Sequence, residues 1–295
     1  MRRWADWLAP SLVGLLVLGG WEAAVRLLEV PAYKVPGPVA IAQALVADWP
    51  LFWSSMLVTL KIALLALLLA VTLGGLLAIA FAQSRWVERA FFPYAVVLQV
   101  TPVVAIAPLI LIWVDDVTVS LLICAWIVAF FPVLSNTVLG LNSADRNHVE
   151  LFRLYGATRW QTLWLLRLPG ALPFFLAGLR VAGGLALIGA VVAVFGAGAG
   201  GTGSGLAFRI LEAGYQLKIP RMFAALALIS ALGIAIFAVL GLVQHLLLRR
   251  WHESAMRPSG LERVPFDLAH GTLSSLLLNR ANYPDRMIPS DRGLL

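Results

Sequence analysis

Long apolar runs, separated by short polar segments, dominate the pattern of this chain. A helix that crosses a bilayer needs about 20 consecutive apolar residues, and lipid offers the backbone no hydrogen-bonding partner outside the helix itself. The pattern therefore predicts an all-α membrane protein with six transmembrane helices. They are expected at roughly 11 to 29, 54 to 82, 91 to 113, 117 to 141, 172 to 195 and 222 to 248.

The composition agrees with a membrane protein and argues against several other classes. Hydrophobic residues make up 61% of the 295 residues and charged residues 13%, which is more apolar surface than one soluble core can hide. The single cysteine, Cys124, and four scattered histidines provide neither a disulfide nor a metal-ligand spacing. The net charge of +7 comes from basic residues that flank the apolar runs, so it indicates orientation rather than binding of nucleic acid.

The basic residues predict the orientation, because cytoplasmic segments of membrane proteins carry an excess of arginine and lysine. With the amino terminus inside, the inner segments hold most of the arginines and the outer loops hold few. Both termini are therefore expected in the cytoplasm. The first apolar run follows Arg2 and Arg3 as in a signal peptide, but it continues without a small-residue cleavage site, which favours a retained anchor.

A polar interruption between the fourth and fifth runs predicts two short helices. Asn147 is followed three residues later by Glu150, and Thr158 by Gln161. Each spacing is a capping-box pattern, in which two side chains satisfy the free N–H groups at a helix start. On the predicted topology both short helices lie on the cytoplasmic side.

Gly156 and Pro169 are predicted to end these two helices. Glycine adopts the left-handed conformation without a steric penalty, and proline disfavours the helical conformation of the residue before it. The simplest interpretation is an interfacial hairpin that only connects two spans. The other interpretation is an element that docks into a groove of a partner protein.

The same interruption resembles the EAA loop of ABC-importer permeases. That motif has a glutamate and two alanines, then a glycine, and then an aliphatic residue, any residue, leucine and proline. Leu151 and Phe152 stand here where the alanines are usual. The match rests on Glu150, Gly156, Ala157, Leu166, Leu168 and Pro169.

Other segments resemble the nitrate, sulfonate, taurine and pyrimidine-precursor branch of that family. Residues 59 to 113 are similar to the start of its permease domain, and 130 to 141 to its fourth span. Residues 36 to 45 are similar to its proline-rich entry, and 203 to 225 to its loop into the last span. The resemblance covers about residues 35 to 252 in the correct order.

This resemblance implies the type I ABC-importer permease architecture in a bacterial inner membrane. A homodimer of permease subunits forms the solute pathway, and a dimer of separate cytoplasmic ABC ATPases receives the short helices. ATP and Mg²⁺ then bind to the partner, so no cofactor, metal or catalytic residue is expected on this chain. A periplasmic or extracellular solute-binding protein delivers the solute.

Within the loop, the resemblance assigns ATPase coupling to Glu150, Gly156, Ala157, Leu166, Leu168 and Pro169. Arg153 and Arg159 are further candidates for contact with the ATPase, and they could equally be inner-face charges. The expected solute is a small organic anion or vitamin precursor such as a sulfonate, taurine, nitrate or a pyrimidine-like compound. The alternative is a secondary transporter that is not driven by ATP, which should show ionisable residues near span centres.

Four residues in the spans are candidates for the solute pathway. Pro102 and Pro108 should bend or break the third span, either beside a pathway or as a packing kink. Lys61 and Arg180 lie in apolar runs, where a central charge costs roughly 2.5 to 3.5 kcal/mol. They either reach the membrane boundary or face a polar pathway that attracts an anion.

The predicted organisation has three parts. Residues 1–34 form a short cytoplasmic stub and the first transmembrane helix, and residues 35–252 form the permease domain with its coupling loop at 142–171. Residues 253–295 are rich in proline and charge and are predicted to be a disordered cytoplasmic tail. The glycine-rich stretch 196–205 lacks the Gly-Lys-Ser/Thr ending of a phosphate loop and is predicted to be a flexible hinge.

Overall fold

The computed structural model describes residues 2–197 and 204–249. Within these ranges the chain folds into eleven α-helices and one π-helical turn, which confirms the all-α prediction. The elements are α1 (Arg2–Leu27), α2 (Pro38–Ala47), α3 (Trp49–Gln83), α4 (Arg85–Val100), α5 (Val103–Trp113), α6 (Val117–Asn142), α7 (Arg146–Leu154), α8 (Arg159–Thr162), the π turn (Leu163–Arg167), α9 (Leu168–Ala197), α10 (Leu206–Tyr215) and α11 (Ile219–Leu248). The predicted tail and most of the glycine-rich stretch lie outside the described residues.

Four helices in the described ranges are long and apolar enough to cross a membrane. They are α3, α6, α11 and the continuous helix Arg159–Phe195, which contains most of α9. Helices α4 and α5 pass the same test as a pair but are bent by 101°, which makes the pair either a fifth, broken span or a re-entrant loop. Helix α1 covers the first predicted run but is not among these spans, so the sixth span stays a prediction.

Of the two prolines predicted to bend or break the third span, Pro102 and Pro108, only Pro102 breaks the helix. Thr101, directly before Pro102, has an extended backbone (φ −69°, ψ 121°), as expected for a residue that precedes proline. Pro102 then stands at the start of α5, whereas Pro108 lies inside that helix without ending it. The predicted bend or break is therefore confirmed at Pro102.

Helix α6 is the centre of the bundle and packs against α3, α5 and α9. Its contact with α9 is lined by small residues, among them Ala125 and Ala129 on α6 and Ala186 on α9, all fully buried. A Cβ atom added at Gly189 of α9 would lie only 2.8 Å from the Ala125 Cα. Small side chains thus let the two backbones approach closely, as is common between helices in membranes.

The two ends of the bundle differ in their elements. We call the end where α3 and α6 finish, at Gln83 and Asn142, the hairpin end, because α7 and α8 lie there. At the opposite end α3 begins at Trp49 and α10 packs against it. Helix α3 begins five residues before the predicted span, since Pro50 fits the first turn of a helix, where no N–H is required.

Candidate coupling site

The first short helix of the hairpin begins at Arg146. Asp145 is its N-cap, and its Oδ1 accepts a hydrogen bond of 2.8 Å from the Asn147 N–H. The predicted cap at Asn147 is therefore wrong by two residues. A carboxylate is favoured at this position because it also compensates the positive end of the helix dipole.

Gly156 ends the first helix as predicted. Its φ of +72° is the left-handed conformation that only glycine adopts easily. The Gly156 N–H donates to the Arg153 carbonyl at 3.0 Å, and the Ala157 N–H donates to the Phe152 carbonyl at 2.9 Å. These two bonds form a complete Schellman motif, which turns the chain sharply between the two helices.

The capping box at the start of α8 is also confirmed. The Thr158 hydroxyl accepts a hydrogen bond of 3.3 Å from the Gln161 N–H, and the Gln161 Oε1 accepts one of 2.7 Å from the Thr158 N–H. Both free donors at this helix start are satisfied by local side chains.

Pro169 does not end the second helix, so that prediction is wrong. Helix α8 continues through the π turn directly into α9, and Pro169 is the second residue of α9. At the end of the π turn the Leu168 N–H donates to the Leu163 carbonyl, five residues back. This wider turn accommodates a proline, which lacks an N–H and whose ring crowds the carbonyl four residues earlier in a regular α-helix.

The π turn also connects the hairpin to the end of α3. Arg167 Nη1 donates a hydrogen bond of 3.3 Å to the Ala82 carbonyl, in the last turn of α3. Carbonyl groups in the last turn of a helix have no partner within the helix, and a cation is favoured there. Movement of the hairpin is thus linked directly to a transmembrane helix.

The hairpin carries a set of exposed apolar side chains, which we call the apolar face. Leu154 and Tyr155 are 85% and 84% exposed, and Trp160 and Trp164 are 60% and 64% exposed. Leu163, which precedes Trp164 in the chain, is buried against α6. The complete apolar face comprises Leu151, Leu154, Tyr155, Trp160, Trp164 and Leu165.

Half of the predicted coupling residues line one cleft. This cleft has a volume of about 1180 Å³ and lies between the hairpin, the end of α6 and the turn from α3 to α4. Glu150, Arg153, Ala157 and Arg159 all line it. Gly156 is exposed at the elbow, whereas Leu166, Leu168 and Pro169 are partly buried.

The cleft, which we call the arginine cleft, carries an excess of positive charge. Two glutamates, Glu88 and Glu150, face five arginines, which leaves three uncompensated positive charges. Among the described residues, none of these seven side chains is in an ion pair. The arginines are Arg85, Arg146, Arg153, Arg159 and Arg167.

Residues 70–253 match the family model described as "Binding-protein-dependent transport system inner membrane component". The chain belongs to this family. It is accordingly a multi-pass permease subunit of an ABC importer, a transport protein whose family works with an ATPase and a solute-binding protein. The resemblance seen in the sequence is thereby confirmed.

Curated relatives are similar over most of their length. The chain is 34% identical to the formylaminopyrimidine transport permease protein ThiX of Halalkalibacterium halodurans, over 84% of this chain and 98% of the relative. It is 36% identical to the riboflavin transport system permease protein RibX of Chloroflexus aurantiacus, over 81% and 88%. Identity to the taurine transport system permease protein TauC of Escherichia coli is 28%, over 80% and 86%.

A solved structure shares the fold. It is described as an amino acid ABC transporter with histidines, and it aligns with a TM-score of 0.56 at 20% identity. The alignment covers 69% of this chain and 97% of the other. This match confirms the permease architecture predicted from the sequence.

The four pathway candidates of the permease are not brought together by a hydrogen bond or ion pair. Lys61 is exposed on α3, and Pro102 and Pro108 are exposed in the bent pair α4–α5. The Arg180 guanidinium of α9 stacks on the Phe237 ring of α11, with its carbon 3.8 Å from the ring centroid. This cation–π contact offsets part of the cost of a charge within the bundle. The pathway role of all four stays a prediction.

A polar cluster at the opposite end was missed from the sequence. The Thr59 Oγ1 of α3 accepts a hydrogen bond of 2.8 Å from the Leu206 N–H, at the start of α10. Arg209 Nε donates to the Ser55 Oγ at 2.8 Å, and Arg209 Nη1 donates to Glu212 at 2.8 Å. Ser55 and Thr59 are four residues apart in an apolar run, and this spacing could have indicated a polar stripe on one helix face.

The described residues contain no group of three His, Cys, Asp or Glu side chains that could hold a metal ion. Cys124 is a free cysteine, buried in α6.

Proposed function

We propose that this permease subunit takes up its solute at the expense of ATP that binds, with Mg²⁺, to a separate ATPase dimer. The hairpin α7–α8 docks on the ATPase, and a homodimer of this chain forms the pathway. The observation that carries the proposal is the apolar face, a set of exposed apolar side chains on a hairpin whose two helices are capped by local hydrogen bonds. Large exposed apolar patches mark contact with proteins or membranes, and membership of a family that works with an ATPase favours the protein contact here.

The link to the spans gives the docked hairpin a mechanical role. The π turn makes α8 continuous with α9, and Arg167 connects it to the end of α3. Closure of the ATPase dimer then moves two transmembrane helices together, which opens the pathway to the other side. Membership of the family supports coupling in which the ATPase drives movement of the permease helices.

Docking can be tested by reconstitution with an ATPase and a solute-binding protein that support uptake by this permease. The double variant Leu154→Ser/Trp160→Ser should lose co-purification of the ATPase and ATP-driven uptake, since it removes exposed apolar side chains and no internal contact. Tyr215→Ser, which removes an 87% exposed aromatic at the opposite end, should retain the ATPase. Uptake that persists without any ATPase supports a secondary transporter and rejects the proposal.

We further propose that the hairpin end faces the cytoplasm, together with both termini. The excess of arginine at this end supports that orientation. In a Cys124→Ala background, cysteines at Leu154 and Leu217 occupy exposed sites at the two ends. A membrane-impermeant maleimide added to intact cells should label the cysteine at position 217 and should not label the one at position 154. Labelling at position 154 alone contradicts this orientation.

The proposed solute is a small organic anion or a vitamin precursor. Two relatives at 34% and 36% identity are named for formylaminopyrimidine and riboflavin transport, whereas a relative named for aliphatic sulfonates has 30% identity and the taurine permease 28%. We therefore place a vitamin-related heterocycle ahead of a sulfonate. Uptake assays with radiolabelled formylaminopyrimidine, riboflavin and taurine test this preference between solutes. Transport of taurine alone contradicts it.

A further inference from the structure

The arginine cleft lacks an internal counter-charge. Glu88 and Glu150 line it, yet neither lies within 4.0 Å of an arginine nitrogen. Within the described residues, Arg167 is the only arginine of the cleft with a hydrogen bond, and its acceptor is a backbone carbonyl rather than a carboxylate. Like charges gathered in a concave site repel one another and attract an anion from outside.

The cleft is larger than a small inorganic anion requires. Its volume of about 1180 Å³ extends from the Ser84 turn to the hairpin. The positive side chains come from separate elements, since Arg85 lies on α4 and Arg146 on α7. The volume and the charge together suit an occupant with a bulky, negatively charged polar group.

A second depression continues the cleft along α4. It has a volume of about 470 Å³, shares Arg85 and Glu88 with the cleft, and adds Arg89, Phe92 and Pro93. Helix α4 is half of the bent apolar pair α4–α5, and its Phe92 and Pro93 line this depression beside the charged groups. The depression therefore continues the charged cleft onto apolar side chains.

A charged pocket that continues onto apolar side chains has the two-part chemistry of a phospholipid. Basic pockets between transmembrane helices bind the headgroups of anionic lipids. We infer that the arginine cleft binds the phosphate headgroup of an anionic phospholipid, with one acyl chain along α4 over Phe92 and Pro93. Glu88 and Glu150 suit a glycerol headgroup, because its hydroxyls can donate to their carboxylates.

This lipid holds the hairpin against the turn between α3 and α4, because its phosphate contacts arginines of the hairpin and an arginine of α4. The inference does not depend on which protein covers the apolar face. It also concerns a different surface, since none of the six residues of the apolar face lines the cleft.

The test uses the full-length permease, purified in a neutral detergent and supplied with phosphatidylglycerol, phosphatidylcholine or inorganic phosphate. Phosphatidylglycerol should raise the midpoint of thermal unfolding by about 4 °C, as expected for saturation of a specific site. Phosphatidylcholine and inorganic phosphate should each give less than half of this shift. The Arg85→Gln/Arg146→Gln variant should lose most of the shift with phosphatidylglycerol.

The matched control is Lys34→Gln/Lys218→Gln, which removes two exposed positive charges at the opposite end. It should keep the full shift. An equal shift with phosphatidylcholine, an equal shift with inorganic phosphate, or a full shift in the arginine variant would each overturn the inference. A full shift in that variant combined with loss of ATPase binding assigns the cleft to an acidic protein segment instead.

A second measurement covers the case in which the arginine variant fails to fold. Native mass spectrometry of the wild-type protein, released from mixed micelles with equal amounts of both lipids, counts the lipids that each chain retains. At least a fivefold preference for phosphatidylglycerol is expected. Equal retention of the two lipids contradicts the inference.

Discussion

Arginines at the two ends of the bundle differ in whether a carboxylate lies beside them. At the end opposite the hairpin, Arg26, Arg209 and Arg221 each lie within 3.1 Å of a carboxylate oxygen of Glu22, Glu212 or Asp48. The Arg221 contact is an ion pair without hydrogen-bond geometry. At the hairpin end, five arginines share one cleft and, among the described residues, none is paired with a carboxylate.

This difference separates arginines that are compensated within the chain from arginines that are not. At the opposite end Arg209 also takes part in the hydrogen bonds that join α10 to α3. The hairpin end has exposed apolar side chains beside its unpaired arginines. Such surfaces are costly in a solitary subunit and are stabilised when a partner covers them.

The largest expected effect comes from opening the bond between Thr59 and α10. Thr59→Val keeps the shape but removes the acceptor of the buried Leu206 N–H, which should cost roughly 1 to 3 kcal/mol. The control is Thr72→Val on the same helix, whose hydroxyl bonds only to carbonyls of its own helix and is exposed. Thermal unfolding in detergent measures both. Equal midpoints for the two variants contradict the role of Thr59.

The next effect concerns the elbow of the hairpin. Gly156→Ala places a Cβ on a residue with φ of +72°, which should cost roughly 1 to 2 kcal/mol and loosen the turn. Gly170→Ala is the matched control, because Gly170 is helical and has open space around its Cβ position. ATP-driven uptake should fall in the first variant and stay normal in the second. Normal uptake in both excludes the elbow as a part of coupling.

A smaller effect is expected at the start of α8. Thr158→Ala removes the capping hydroxyl and should cost about 1 kcal/mol, whereas Thr158→Ser keeps it. Hydrogen exchange of the amides of residues 159 to 162 should accelerate in the alanine variant alone. The same exchange rate in both variants shows that the cap does not stabilise α8.

The smallest effects should have opposite signs at the two ends. In neutral detergent, Arg221→Gln breaks a partly buried ion pair and should lower the free energy of unfolding by up to about 1 kcal/mol. Arg146→Gln removes a positive charge from the first turn of α7 and should raise the free energy of unfolding by about 0.5 kcal/mol. Thermal unfolding at low salt compares the two. Destabilisation by Arg146→Gln shows that its charge has an internal partner.

Much of the fold could be predicted from the sequence because the bilayer restricts the possibilities. The apolar runs at α3, α6 and α11 are long enough to give their spans without tertiary information. The break at Pro102 was also predictable, since proline constrains the residue before it. The opposite outcome at Pro169 was not, because the π turn that accommodates it depends on the packing of Leu163 against α6.

In the candidate site, features made by local contacts could be predicted from the sequence, and features made by distant contacts could not. The Gly156 turn and the Thr158 capping box involve neighbours in the chain, and the sequence predicted both. The arginine cleft joins the hairpin to the turn near Ser84, and the Thr59 bond spans 147 residues. Such contacts depend on how the helices pack, and this packing cannot be predicted from a single sequence.

The claim that the hairpin end receives the ATPase can be tested by cross-linking. A benzoylphenylalanine in place of Tyr155 or Tyr215 puts the same photoreactive ring at an exposed aromatic site at either end, 84% and 87% exposed. In the assembled importer, we predict that the probe at Tyr155 cross-links to the ATPase and the probe at Tyr215 does not. Cross-links from Tyr215 alone, or none from Tyr155 in a complex that transports, would contradict the account.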